Sequence, residues 1–403
     1  MKRAAAWGGL IFLTGLNLLN YIDRQIPAAI EVPLKRDLIH RDEQIGLLAT
    51  AFVIVYMVAS PVFGMLGDRW SRTRLIAFGV MVWSVATASS GLARGFGSLF
   101  TSRMVVGIGE AAYGTIAPAL LADYFPRPMR GPIFAIFYAA IPIGSALGYY
   151  LGGVIMSTWG WRWAFVFTGL PGVAFALGAL WLFDPERGQH DDADVAGHGR
   201  FKLVEAWQLL ARNRLYLMTV AGYAAGTFAI VGLAFWMPAF LTRVRGMDMA
   251  EGPKLFGMVV AAAGLVGTLS GGWLGERAQR YSKFGYLWVS GVTTLAAVPC
   301  TVLALTLPGR SQFVVATFAA AALVFCSTGP VNTLIVNVVS PAMRATAVAA
   351  STVAIHLFGD AISPWLIGSV SDRAGLQTAV MIVPVVMTIS GLIWTITAWR
   401  SKA

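Results

Sequence analysis

Charge is what this chain has least of. Only 12% of its 403 residues are charged, about half the share that a soluble domain carries. Acidic groups are the scarcer sign, with 19 Asp and Glu against 30 Lys and Arg and a net charge of +11. There are 2 cysteines, Cys300 and Cys326, both inside apolar runs. They have no disulfide-framework or metal-ligand spacing and read as packing residues. The 4 histidines, His40, His190, His198 and His356, are not grouped, which excludes a histidine-built metal or catalytic cluster. Neither a metal nor a cofactor is expected. Long hydrophilic segments are also missing, apart from residues 184–214, so no separate soluble domain fits.

What fills the chain is apolar sequence. Hydrophobic residues make up 57%, and the mean hydropathy is +0.69. They come in blocks long enough to cross a bilayer as helices, which need about 20 residues each. Twelve blocks can be drawn: 7–30, 44–66, 74–93, 98–124, 131–156, 161–183, 215–241, 254–277, 284–307, 312–339, 343–370 and 377–399. This predicts an all-α polytopic membrane protein of twelve transmembrane helices in two pseudo-symmetric six-helix halves, residues 1–184 and 215–403. Residues 185–214 form a linker between them. Phe201, Val204, Trp207 and Leu210 share one helical face in that linker, which predicts an interfacial amphipathic helix.

A pI of 9.9 would suggest nucleic acid in a soluble chain. Here the cations sit in short loops, so no nucleic-acid partner is expected. Lys and Arg number 18 on the side that holds both termini and 10 on the other, leaving Arg24 and Arg103 inside spans. That bias places both termini in the cytoplasm. Short termini and lean loops point to a bacterial inner membrane, and the chain is expected to act as a monomer.

The two halves echo each other. Gly64-Met-Leu-Gly67-Asp68-Arg69, followed by Arg72, returns as Gly272-Trp-Leu-Gly275-Glu276-Arg277, followed by Arg280. Met129-Arg130 returns as Met343-Arg344. Internal repeats of this kind mark carriers whose site lies between the halves.

Polar residues inside the spans are the functional candidates, because ionisable groups are costly there. Asn17, Asn20, Tyr21 and Arg24 make one stripe on span one, with Asp23 beside it. Arg103 and Glu110 share a face of span four. At 1.5 Å per residue, Glu110 lies about 18 Å from the outer end of its span, Arg103 about 8 Å and Asp23 about 10 Å. Asp23 and Arg103 are therefore expected at one level, with Glu110 deeper and Arg24 between. A carboxyl balanced between burial and a guanidinium can change protonation, and a released arginine fork suits a phosphate. Glu110 is the first candidate for proton coupling and Asp23 the second. Asp360, four residues from His356 on span eleven, is a third. His356 and Asn332 are candidate substrate groups, as are Asn20, Tyr21, Arg24 and Arg103. The aromatic wall of span seven, including Phe228, Phe235 and Trp236, suits a lipid tail or a drug. In the first repeated loop, Asp68 can cap a helix or pair with arginine, while Arg69 and Arg72 can reach Asp123. Glu276 and Arg277 are their second-half counterparts, and all six are candidate gating residues. Gly144, Gly148 and Gly152 at four-residue spacing let helices approach closely.

At these residues the chain resembles the major facilitator superfamily. The segment from Gly64 to Arg74 looks like its signature loop, with Ser71 where glycine is usual. The glycines of span five are similar to an exporter motif, with Tyr149 where proline is usual. Asn20-Tyr-Ile-Asp23-Arg24, Arg103-Met-Val-Val-Gly107-Ile-Gly-Glu110 and His356-Leu-Phe-Gly359-Asp360 resemble the Spinster branch. The resemblance implies a carrier of lysophospholipids or sphingoid phosphates driven by protons. It also implies that the loop network favours an outward-facing state. Alternatives are an exporter of amphipathic drugs or small organic anions, or a receptor or scaffold with a carrier fold. The ungrouped histidines speak against an enzyme, and the retained Asp23, Glu110 and Asp360 speak against a receptor.

Overall fold

Backbone amides that cannot reach water must close hydrogen bonds within their own segment, so long apolar runs fold as helices. The computed structural model describes residues 2–187, 189, 203–339 and 344–400, and no strand occurs among them. Contacts divide the chain into two compact units. The first comprises Met1–Ala196 and Leu241–Gly257, the second Gly197–Phe240 and Met258–Ala403.

The first unit contains α1 (Lys2–Ala29), a short α2 (Glu31–Asp37), α3 (Asp42–Arg69), α4 (Arg72–Ser90), α5 (Phe96–Tyr124), α6 (Arg127–Trp159) and α7 (Trp161–Ala179). Gly160 joins α6 to α7 at φ +89°, a left-handed conformation that glycine adopts without a Cβ clash. Ser71 precedes α4 in extended backbone at φ −61°, so this turn does not need the glycine that is usual there. Two helix pairs meet backbone to backbone. A Cβ on Gly148 of α6 would lie 2.6 Å from the Ile22 carbonyl oxygen of α1, and one on Gly107 of α5 would lie 2.7 Å from the Phe52 carbonyl oxygen of α3. The glycine spacing in span five thus packs α6 against α1. Leu13, Leu16, Val80, Trp83 and Tyr113 lie in the core of this unit. The Tyr113 hydroxyl donates to Leu13 O at 2.7 Å.

The second unit begins with α8 (Leu203–Arg212) and α9 (Arg214–Arg243), whose last turn belongs to the first unit. There follow α10 (Glu251–Tyr281), α11 (Gly285–Thr306), α12 (Arg310–Phe325), α13 (Thr328–Asn337) and α14 (Arg344–Ile355). A π-helical turn at His356–Asp360 leads into α15 (Ser363–Ala374), α16 (Leu376–Val380) and α17 (Ile382–Arg400). Trp394 is fully buried and its indole N–H donates to Thr219 O at 3.1 Å, which fixes α17 against α9. Cys300 and Cys326 are free.

Among the described residues, eleven helical stretches are long and apolar enough to cross a membrane. The expected third span is the one missing from that set. It folds as α4, but Arg72, Arg74 and five Ser or Thr residues leave it too polar by composition. Spans ten and eleven are each broken, the first at Cys326-Ser327 between α12 and α13, the second at the π turn. The amphipathic segment of the linker is α8, on which Leu210 is buried and Gln208 exposed. Phe201 lies outside the described residues.

Candidate functional site

The polar stripe of α1 meets α5 inside the first unit. Arg24 Nε donates to Glu110 Oε2 at 2.6 Å, and the Glu110 side chain is fully buried. Arg24 is held from its other sides by aromatic rings. Its guanidinium carbon lies 4.9 Å from the Tyr21 centroid, 5.0 Å from Phe52 and 5.1 Å from Tyr56. Arg103 lies 5.3 Å from the same Phe52 ring, so one ring serves two guanidinium groups through its negative face. Phe52 and Tyr56, four apart on α3, were not legible as site residues, because an aromatic pair on an apolar helix has no mark of its own.

The sequence expectation paired Glu110 with Arg103 and put Arg24 between levels. The direct partner is instead Arg24. Arg103 is 3% exposed, with Nε and Nη1 unbonded. Asp23 is fully buried beside Thr168 and Trp83, and neither carboxylate oxygen has a hydrogen-bond partner. Asp23 lies close enough to Arg103 and Glu110 to interact with both electrostatically, as the shared level of Asp23 and Arg103 implied, but it forms no ion pair with either. Asn20 is buried with its amide nitrogen unbonded, and Asn17 Nδ2 donates to Phe137 O at 3.0 Å. Buried polar groups left without partners are uncommon in stable interiors, which makes this cluster the candidate site of the first unit.

The loop after α3 divides its candidates. Arg72 is buried and ion-paired to Asp123, and its Nε donates to Asp184 Oδ1 at 2.8 Å. Its backbone N–H also donates to Asp184 Oδ2 at 2.9 Å. Asp68 and Arg69 are exposed, and no partner holds them among the described residues, so the reach of Arg69 to Asp123 is not realised here. Asp184, read from sequence only as the first residue of the hydrophilic stretch after span six, belongs to the network. In the second unit Glu276 and Arg277 are also exposed, and Arg277 lies 5.6 Å from the Trp273 ring.

Elsewhere in the second unit, His356 Nδ1 and Asp360 Oδ2 are 2.8 Å apart across the π turn. Asn332 Nδ2 donates to Tyr223 Oη at 3.2 Å and to Thr328 O at 2.8 Å. Phe228 and Trp236 are buried rather than lining an open wall. Trp236 Nε1 donates to Pro364 O at 3.0 Å, which makes it a strut between α9 and α15.

A second ion cluster escaped the sequence reading. Arg243 contacts Glu31 Oε1 at 3.0 Å and Asp42 Oδ2 at 2.8 Å, and Lys35 also pairs with Asp42. Both carboxylates are fully buried. Glu31, Lys35 and Asp42 share one short loop between apolar runs, but Arg243 lies in another about 200 residues on, so they gave no pattern before folding. Burial, offset in part by Arg243 and Lys35 and reinforced by the Asp42 charge, pushes the Glu31 carboxyl up to about 7 from its ordinary 4.5. A carboxyl raised in the folded state binds more protons there than when unfolded, so stability falls as pH rises from about 4.5 to 7. Glu31→Gln removes the titrating charge while keeping an acceptor for Arg243. It is expected to melt above the wild type at pH 8 and level with it at pH 5. Equal melting differences at both values would contradict the assignment.

Helices of this length, an internal repeat and ion pairs within the spans are the features of a polytopic membrane carrier. The family model described as the Major Facilitator Superfamily matches residues 13–364. The protein spinster of Drosophila melanogaster is 33% identical over 383 residues, covering 91% of this chain and 62% of that protein. The sphingosine-1-phosphate transporter SPNS2 of Xenopus tropicalis is 31% identical over 428 residues, covering 98% and 82%. A crystal structure of a bacterial homologue of the human lysosomal transporter Spinster, inward-facing and unoccupied, has the same fold. Its TM-score is 0.89 at 24% identity, over 98% of this chain and 97% of that one. The chain belongs to the Major Facilitator Superfamily and, within it, to the Spinster proteins.

Proposed function

We propose that the chain is a proton-coupled secondary carrier of an amphipathic lysolipid or sphingoid-phosphate-like lipid, working by alternating access. The observation that carries this reading is the half-buried Arg24 paired with the fully buried Glu110, ringed by Tyr21, Phe52 and Tyr56. While Glu110 is ionised it holds Arg24. Protonation of Glu110 removes the charge that binds Arg24 and frees a planar fork suited to a phosphate oxygen pair. The rings beside it suit the start of an apolar tail, as a largely apolar pocket with a few placed polar groups requires. The lipid class is supported by the similar SPNS2 protein, a sphingosine-1-phosphate transporter. Asp23, Arg103 and Asn20 complete the site in this reading, and Asp360 with His356 supplies a further protonatable pair. The Arg72–Asp123–Asp184 network serves as the gate on the side of the termini, with Asp68, Arg69, Glu276 and Arg277 joining it in another state. The excess of Lys and Arg puts that side in the cytoplasm, and the bacterial inner membrane suits such short termini.

The test is flux into proteoliposomes, with lysolipids, sphingoid phosphates and cationic amphipathic drugs, with and without a pH gradient. Gradient-dependent uptake of a lysolipid or sphingoid phosphate supports the reading. Drug flux that no such lipid competes with would replace it by the exporter alternative.

A further inference from the structure

Most lipid-facing positions of a membrane protein form a convex apolar surface. In the second unit α9 and α17 instead enclose a groove of about 530 Å³. Its floor follows one stripe of α17, Ile389, Ile393 and Ile396, with Met218 of α9 opposite. The spacing of four and then three residues keeps that stripe on one helical face. Two arginines border the groove, Arg214 in the first turn of α9 and Arg400 in the last turn of α17.

Three observations set the chemistry of an occupant. Both arginines are exposed, and neither has an acidic partner among the described residues. The Thr397 hydroxyl, which also borders the groove, donates back to Ile393 O at 2.6 Å and offers no hydrogen to a ligand. The groove runs from Ile389 to Arg400, about 16 Å at 1.5 Å per residue, so the apolar length and the cationic end lie in line. We propose that the groove binds one anionic phospholipid, with its phosphate between Arg214 and Arg400 and one acyl chain along Ile389, Ile393 and Ile396. Two guanidinium forks without a carboxylate favour a head group of net negative charge over a zwitterion, whose cation they would repel. The start of α9 adds a favourable end for the phosphate, its third amide being capped by Asn213 at 3.0 Å while the first two remain available. None of these residues belongs to the Arg24–Glu110 cluster, so this lipid is a bound structural partner and not the transported one.

The full chain is placed in nanodiscs of phosphatidylcholine with a graded fraction of phosphatidylglycerol. Bound lipid is counted by native mass spectrometry, and melting is followed in parallel. The wild type should retain phosphatidylglycerol selectively and melt higher as its fraction rises. Arg214→Gln or Arg400→Gln should each weaken that selectivity about fivefold, and the pair about twenty-five-fold, with melting in pure phosphatidylcholine unchanged. Ile393→Trp, which fills the groove and leaves both charges, should lose the bound lipid as well. Wild-type retention by the double variant would overturn the proposal. So would retention by Ile393→Trp, since that points to surface charge alone, or equal protection of the wild type by inorganic phosphate.

Discussion

Glu110→Gln is expected to abolish the stimulation of flux by a pH gradient while leaving a folded protein. The carboxyl is fully buried and its Oε2 accepts from Arg24 Nε at 2.6 Å. A glutamine keeps the shape and an acceptor but cannot lose a proton, so it holds the site in its neutral condition at every pH. Folding should survive, because Arg24 retains the rings of Tyr21, Phe52 and Tyr56 and is 22% exposed. The loss in stability should be about 2 kcal/mol, the worth of a hydrogen bond between charged groups. Substrate affinity should lose the part of its pH dependence that Glu110 confers. The measurement is flux with and without a gradient, alongside lipid binding across pH 5 to 8. A variant that responds to the gradient as the wild type does would return this pair to a purely structural role.

Arg24→Ala should be worse, and for the opposite reason. It strands a buried carboxylate whose other oxygen already lacks a partner. Removing one member of a buried pair typically costs about 3–5 kcal/mol, because the remaining charge is uncompensated. The expected result is a large fall in melting temperature together with loss of transport. Adding Glu110→Gln to Arg24→Ala removes the stranded charge, so the double variant should recover most of the stability but none of the transport. This non-additivity separates the pair from its surroundings. If the double variant melts no higher than Arg24→Ala, the cost lies in lost packing against the three rings and not in the carboxylate.

Much of the architecture could be read before folding because it rests on hydropathy alone. A block of apolar residues must satisfy its own backbone in a bilayer, and the echo of Gly64–Arg72 in Gly272–Arg280 revealed two related halves. Asp23, Arg24, Arg103 and Glu110 stood out because charges are rare in such blocks. Their partners were less legible. Depth along a helix set expected levels only, and the pairing of Arg24 with Glu110 depends on how α1 is rotated against α5, which spacing within one helix does not fix. Phe52 and Tyr56 were hidden among other apolar residues. Arg243, Glu31 and Asp42 were hidden by distance, since 212 and 201 residues separate the partners. The polar α4 shows the reverse case. Its helix was legible, whereas its marginal hydropathy makes sense only once Arg72 is seen to be occupied by Asp123 and Asp184.

The two backbone-to-backbone helix contacts have a kinematic meaning. Where Gly148 meets Ile22 and Gly107 meets Phe52, no side chain stands between the helices to change rotamer and absorb a displacement. The pair α1–α6 is one rigid piece and the pair α3–α5 another. Arg24 rides on the first, while Phe52, Tyr56, Arg103 and Glu110 all ride on the second. The long stem of Arg24 can therefore swing from one anion to another while both helix pairs keep their positions.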